Sequence, residues 1–313
     1  MIPLCICFSP RKATSAIFTF TCLLLASVAF AAEPAAGVKS ELNIPYVENG
    51  HQRQVLDLYV PDESAQKPWP LVIWIHGGAW LAGSRAHPPV MYLTHNGFAL
   101  ASIDYRFSQD AVWPAQIFDC KAAVRFLRAN AAKYHLDPDH FGVGGDSAGG
   151  HLAAMLGASG DVQELEGDLG NSGVSSRVQA VLDWFGPTDI SQIVHQSSPK
   201  ALLKHDGPNS PEARLLGGPI EDKAELARTA NPITYISPSD PPFLIMHGDA
   251  DRIVPHAQSV ILAKALIDAG VQETFKTLPG ADHEAPQFHS PENQRLIVDF
   301  FSQQLKPTPE PSQ

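Results

Sequence analysis

The chain has 313 residues, 44% of them apolar, enough for one sizeable core and long for two independent domains. Its 22 basic residues face 33 acidic ones, a net charge of −11 that argues against nucleic acid or an anionic membrane surface as a partner. That balance says nothing against a neutral ligand such as a sugar derivative.

The first 31 residues read as a cleavable leader. Arg11 and Lys12 form a charged start, Ala16 to Phe30 is apolar, and Ala29-Phe30-Ala31 has the small-x-small pattern of a cleavage site. The apolar run is short of a full membrane span, which argues against an integral anchor. Thr21-Cys22 lacks the small residue that lipid attachment wants before its cysteine. A secreted or periplasmic protein is therefore expected. Cys5, Cys7 and Cys22 leave with the leader, so Cys120 remains alone and no intramolecular disulfide is possible. Cys120 shares an apolar stripe with Ile117, Val124 and Leu127 and reads as a buried structural thiol.

From Val55 onward strand and helix patterns alternate. Val55 to Val60 alternates and stops at Pro61, as an antiparallel edge strand would. Leu71 to Ile75 and Phe98 to Ile103 are continuous apolar runs, expected of strands buried on both faces. Ala115 to Ala131 has helical spacing. Phe141 to Gly145 is a strand, and the stretch from Ala148 returns to helical spacing. Strands follow at Val178–Phe185, Phe243–His247 and Val271–Leu278. Helices follow at His256–Ala269 and Pro291–Leu305, and the tail after Pro307 is Pro-rich and expected to be disordered. The fold class is α/β: a mostly parallel sheet with helices on both faces, forming a single domain over residues 32–306. One long interruption, 187–240, is polar and rich in Ser, Pro and Gly. Its helix candidates are short, near Ile190–Val194, Lys200–Leu203 and Glu221–Ala227. An insert of this length reads as a lid or substrate loop, against the plainer reading of a surface excursion.

The chemistry concentrates at Gly145-x-Ser147-x-Gly149. A serine at a tight strand-to-helix turn is held in a strained conformation with its hydroxyl accessible, and the positions two before and two after it are too crowded for a side chain. Serine alone is a poor nucleophile, so a histidine must take its proton and an acid must orient that histidine. In chain order the acid comes next and the histidine last. His283, in the loop after the last strand, is the expected base, ahead of His256 and His289. Asp251 is the expected acid; Asp249 is expected to shape the turn, and Asp189 is a distant third. His76-Gly77-Gly78-Ala79-Trp80 follows a buried strand, and its small residues let main-chain N–H groups face a reacting carbonyl oxygen. Gly77, Gly78 and Ala148 are the expected donors, with the two glycines not distinguished. His76 is expected to brace the loop, Asp146 to be a structural anion, and Arg106 to be its partner or a brace. Trp80, Trp113, Trp184 and Phe185 are pocket candidates, with core packing the rival reading for the last two. The histidines are scattered and no H-E-x-x-H occurs, so neither a metal nor another cofactor is expected.

Val55–Pro61, His76–Trp80, Asp104-Tyr105-Arg106, Trp113-Pro114-Ala115-Gln116, Asp146–Leu152, Asp183–Asp189 and His247–Pro255 together resemble one branch of the α/β-hydrolases. That branch is the secreted esterases related to bifunctional acetyl-xylan and feruloyl esterases, near the hormone-sensitive-lipase-like group. The resemblance spans about Leu42 to Leu305. It implies the triad Ser147, Asp251 and His283, and hydrolysis of carboxylic esters without a cofactor. The partner would be a small-molecule or polysaccharide ester, and the protein a monomer or weak homo-oligomer. Two places depart from the family pattern: Ala79 where a third glycine is common, and Glu284-Ala285-Pro286 after the histidine. The alternatives are an amide hydrolase, either arylformamidase-like or a peptidase, and a non-catalytic binding scaffold. The leader disfavours the formamidase, the chain length leaves no room for a peptidase's extra domain, and the intact constellation disfavours the scaffold.

Overall fold

The apolar runs assemble into one eight-stranded sheet. In the computed structural model, which describes residues 37–62 and 68–306, the strands are β1 (Val38–Pro45), β2 (Val55–Pro61), β3 (Trp69–Ile75), β4 (Ala99–Ile103), β5 (Leu136–Asp146), β6 (Ala180–Trp184), β7 (Phe243–Gly248) and β8 (Glu273–Leu278). Their spatial order is β1-β2-β4-β3-β5-β6-β7-β8. The first two joins, β1 to β2 and β2 to β4, are antiparallel; every later pair is parallel. The leader expected at residues 1–31 and the tail expected after Pro307 lie outside the described residues.

Among the described residues, eight α-helices complete the layers: α1 (Ala115–Ala129), α2 (Ala131–Tyr134), α3 (Ala148–Ala158), α4 (Ile190–Gln196), α5 (Pro211–Leu216), α6 (Ala224–Thr229), α7 (Ala257–Asp268) and α8 (Pro291–Leu305). Alternate residues of the central strands divide between two cores. Ile73, Ile75, Val143, Val181 and Ile245 pack with α1, α3 and α7. Val72, Trp74, Leu182, Leu244 and Met246 pack with Ile297, Phe301 and Leu305 of α8. This is the period-2 geometry of strands buried on both faces. Cys120 lies fully buried in the first core, and burial pushes its thiol up.

The structure corrects the sequence reading at two places. Val55–Pro61 is not an edge strand: β1 lies outside it, with Val38 opposite Pro61. Strand β1 escaped notice because five of its eight residues are exposed in a row, which leaves no apolar alternation to read. In the insert, Lys200–Leu203 forms no helix, and Leu202 is largely exposed. Helix α5 forms instead, started by the Ser210 side chain accepting from the Ala213 N–H, with proline at its first position. The insert is anchored on the sheet: Leu215, Leu216, Ala227 and Ala230 join the first core, and the Leu215 carbonyl accepts from the Trp113 N–H at 2.8 Å.

Candidate active site

Strand β5 ends and α3 begins at Ser147, whose φ of +53° lies in the left-handed region that a non-glycine residue rarely adopts. The turn is as tight as the spacing demands. A Cβ on Gly149 would collide with the Ile75 carbonyl, and one on Gly145 with the Gly149 carbonyl. The loops after β7 and β8 then bring the other two groups to the serine. His283 Nε2 stands 3.0 Å from Ser147 Oγ, and His283 Nδ1 stands 2.7 Å from Asp251 Oδ2. Asp251 Oδ1 accepts the N–H groups of Ile253 and Val254 at 2.7 and 2.9 Å. Burial would raise the Asp251 carboxyl, but hydrogen bonds from His247 and His283 outweigh it and hold the group well below the usual carboxylate range.

His247 was given no role in the sequence reading. It is fully buried, and its Nε2 lies 3.2 Å from the same Asp251 Oδ2. The only sequence signal was its place at the end of β7, four residues before the acid.

Asp249, by contrast, accepts the Gly280 N–H at 2.6 Å and ties the acid's loop to the histidine's loop. His256 meets Thr277 through Nε2, and His289 packs edge-on against Trp184.

The loop after β3 differs from expectation in one donor. The Gly77 N–H is taken by Asp146 Oδ2 at 3.1 Å, so it is not free for a reacting oxygen. The N–H groups of Gly78 and Ala79 have no partner among the described residues, and that of Ala148 is at the first position of α3, where a helix leaves it unpaired. Sequence reasoning missed Ala79, although its place in the Gly-Gly-Ala run was the signal. His76 braces this loop, with Nδ1 2.7 Å from the Gly77 carbonyl and its ring stacked on Tyr105. Asp146 is raised to about 6, chiefly by burial and then by the charge of Glu284. Arg106 does not pair with Asp146; it forms a bidentate pair with buried Asp119.

Two of the four aromatic candidates are corrected. Trp80 and Trp113 are each 1% exposed, and neither lines the cavity that Trp184 and Phe185 border. The Trp80 indole donates to His151 Nδ1 at 3.3 Å, and the Trp113 indole donates to Thr229 Oγ1 at 3.1 Å. Trp184 and Phe185 do border a cavity of about 260 Å³ next to Asp146, with Phe288, Glu284 and His289. No residue of the 187–240 insert lines it, so the insert buttresses the fold rather than covering this cavity.

The BD-FAE family profile matches residues 56–266. The chain belongs to the BD-FAE family. It has the α/β-hydrolase fold of that family's esterases. BD-FAE membership agrees with the relatives. Esterase LipQ of Mycobacterium tuberculosis is 33% identical over 248 residues, 77% of this chain and 56% of that protein. Esterase LipC of the same organism is 32% identical over 234 residues, 74% of this chain and 56% of that one. The chain thus spans about half the length of these curated relatives. Among solved structures, a truncated carbohydrate esterase from gut microbiota shares 36% identity with a TM-score of 0.79, over 88% of this chain and 99% of that one. The acetyl ester-xyloside bifunctional hydrolase of Caldicellulosiruptor lactoaceticus shares 26% identity with a TM-score of 0.69, over 83% of this chain and 95% of that one.

Proposed function

We propose that this BD-FAE member is an exported serine carboxylesterase acting on short acyl esters, acetyl above all, with feruloyl esters of plant polysaccharide as a second substrate. The observation that carries the reading is the unbroken chain Ser147 Oγ, His283, Asp251, at 3.0 and 2.7 Å. Ser147 attacks the ester carbonyl while His283 Nε2 takes the hydroxyl proton. Asp251 fixes the imidazole with Nδ1–H toward the carboxylate. The negative oxygen of the tetrahedral intermediate is met by the N–H groups of Gly78, Ala79 and Ala148, each such donor typically contributing about 2.7–4 kcal/mol. His283 returns its proton to the departing alcohol and leaves an acyl group on Ser147. Water, deprotonated by the same imidazole, then releases the acid.

The acetyl and carbohydrate preference is supported by the small cavity and by relatives named as carbohydrate and acetyl esterases. Export is supported by the residues 1–31 pattern alone.

The test is a panel on the purified protein: p-nitrophenyl esters of increasing chain length, acetylated xylan, methyl ferulate, a formyl amide and an aminoacyl anilide. Short esters are expected to lead. Ser147→Ala is expected to lower kcat by about 10⁶-fold and to abolish labelling by a fluorophosphonate. A maximum at long acyl chains, or amide cleavage without ester cleavage, overturns the reading.

A further inference from the structure

The carboxylate of Asp251 serves two imidazoles. Oδ2 lies 2.7 Å from His283 Nδ1 and 3.2 Å from His247 Nε2, while Oδ1 is filled by two backbone N–H groups. The protonation site on His247 follows from its neighbours. Nε2 also faces the Val254 carbonyl at 3.0 Å, and a carbonyl and a carboxylate both only accept, so the proton must sit on Nε2. Nδ1 lies 2.7 Å from Ser259 Oγ, a hydroxyl on the first turn of α7 that is itself fully buried. The ring packs against His256 and Phe185 at 5.4 and 6.3 Å, and the charged groups facing it are Asp251 and Asp183.

We infer that His247 is a positioning residue for the Asp251–His283 pair. It touches no reacting atom. Its Nε2–H is shared between the Val254 carbonyl at 3.0 Å and Oδ2 at 3.2 Å and so steadies the oxygen that holds His283, and Ser259 sets the orientation of His247 in turn. Without that donor, Oδ2 has His283 as its single side-chain partner. With Oδ1 still fixed by the two backbone N–H groups, Oδ2 can then swing about that anchor with the imidazole and carry Nε2 off Ser147 Oγ. A misplacement of about 1 Å at a reacting group costs about 10²-fold in rate. Because Asp251 Oδ2 also gives up part of its basicity to His247, losing that donor strengthens the remaining hydrogen bond to His283 Nδ1.

This inference rests on the serine-esterase reading, and the test separates the two. Wild type, His247→Leu, His247→Gln and Ser259→Ala are compared on p-nitrophenyl acetate and by proton NMR of the full chain. The NMR signal is the far-downfield resonance of the proton between His283 Nδ1 and Asp251. Leucine removes the donor at similar bulk, whereas glutamine offers an amide N–H. His247→Leu is expected to lower kcat by about 10²-fold with KM within about twofold, and to move the resonance further downfield. His247→Gln should recover most of the rate and return the resonance toward wild type, and Ser259→Ala should fall between them. A folded His247→Leu with wild-type kcat and an unmoved resonance overturns the inference. If the leucine variant does not fold, the decision passes to Ser259→Ala: an unmoved resonance and unchanged kcat overturn it just as firmly. Absence of ester hydrolysis by the wild type would instead sink the esterase reading, and the resonance would still decide the role of His247.

Discussion

Two loops converge on Ser147 and are held in opposite ways. The loop from His76 to Trp80 is locked from below. Gly78, Ala79 and Trp80 all have positive φ, at +105°, +57° and +57°, a costly arrangement for the two non-glycine residues. Buried contacts hold it there. The Trp80 carbonyl accepts from the Ser108 N–H at 2.8 Å, and the Trp80 indole ends on His151, whose Nε2 donates to the Ala230 carbonyl at 2.7 Å. The loop carrying His283 is instead held across the surface. Asp282 pairs with half-exposed Arg252, and Gly280 donates to exposed Asp249. The difference separates two tasks. Main-chain donors must sit rigidly where charge develops, whereas the imidazole must pass a proton in both directions: buried Asp251 holds its ring, and the outer ties of its loop are ones that solvent can reach.

The sharpest break in this comparison lies within the histidine's own supports. Asp251→Asn should lower kcat by about 10⁴-fold, since the amide favours the wrong tautomer of His283. Asp249→Asn retains an acceptor for the Gly280 N–H and should leave kcat within about threefold. Steady-state kinetics on both variants checks the pair, and the reverse pattern would exchange their roles.

The second break tests the buried anchor by pH. Burial lowers His151 to about 4, against a hydrogen bond to Ala230 that acts the other way. The unfolded chain therefore takes up that proton near pH 6.5, before the folded one does. Between those values the unfolded state binds more protons, so acid favours unfolding, on the order of 3 kcal/mol across the window. Asp146 and Asp183, both raised to about 6 mainly by burial, oppose this over part of the range. The wild-type minus His151→Gln difference isolates the histidine term. Denaturant titrations from pH 4 to 7 should show a difference that shrinks as pH falls, with the variant's kcat lower by about tenfold at pH 7. A pH-independent difference would mean that His151 is not held neutral.

The smallest effect is expected at the surface. Arg252→Ala should change kcat by no more than about twofold at low salt, and by less at high salt, because its pair with Asp282 is exposed and screened. A large, salt-insensitive loss would show that the His283 loop depends on this contact far more than its exposure implies.

Much of this arrangement was legible in the sequence because it is local. The crowding at Gly145 and Gly149, the order of Ser147, Asp251 and His283, and the buried runs of β3 and β5 need only a few neighbouring residues to be read. What was not legible depends on partners far along the chain. Trp80 and Trp113 read as pocket-lining loop aromatics because nothing near them shows that His151, Leu215 and Thr229 will enclose them. The Gly77 N–H looked free because its acceptor on Asp146 comes 69 positions later. The insert was legible in part: Ile190–Val194 falls on α4 and Glu221–Ala227 overlaps α6, whereas α5 escaped notice because it is short and is stabilised by its Ser210 cap and by docking rather than by an amphipathic stripe.

The missing side chain at Gly149 has a consequence for the whole reaction centre. The first turn of α3 lies directly against the Ile75 carbonyl, at the end of the strand that leads into the Gly78–Ala79 loop. The attacking atom and the donors awaiting the oxyanion therefore stand on two stretches of main chain in van der Waals contact, with no side chain between them to tune. Their separation works as a fixed gauge, set by peptide dimensions. Substrate preference can drift through the walls of the cavity while that gauge stays the same, and any Gly149 substitution would change it for every substrate at once.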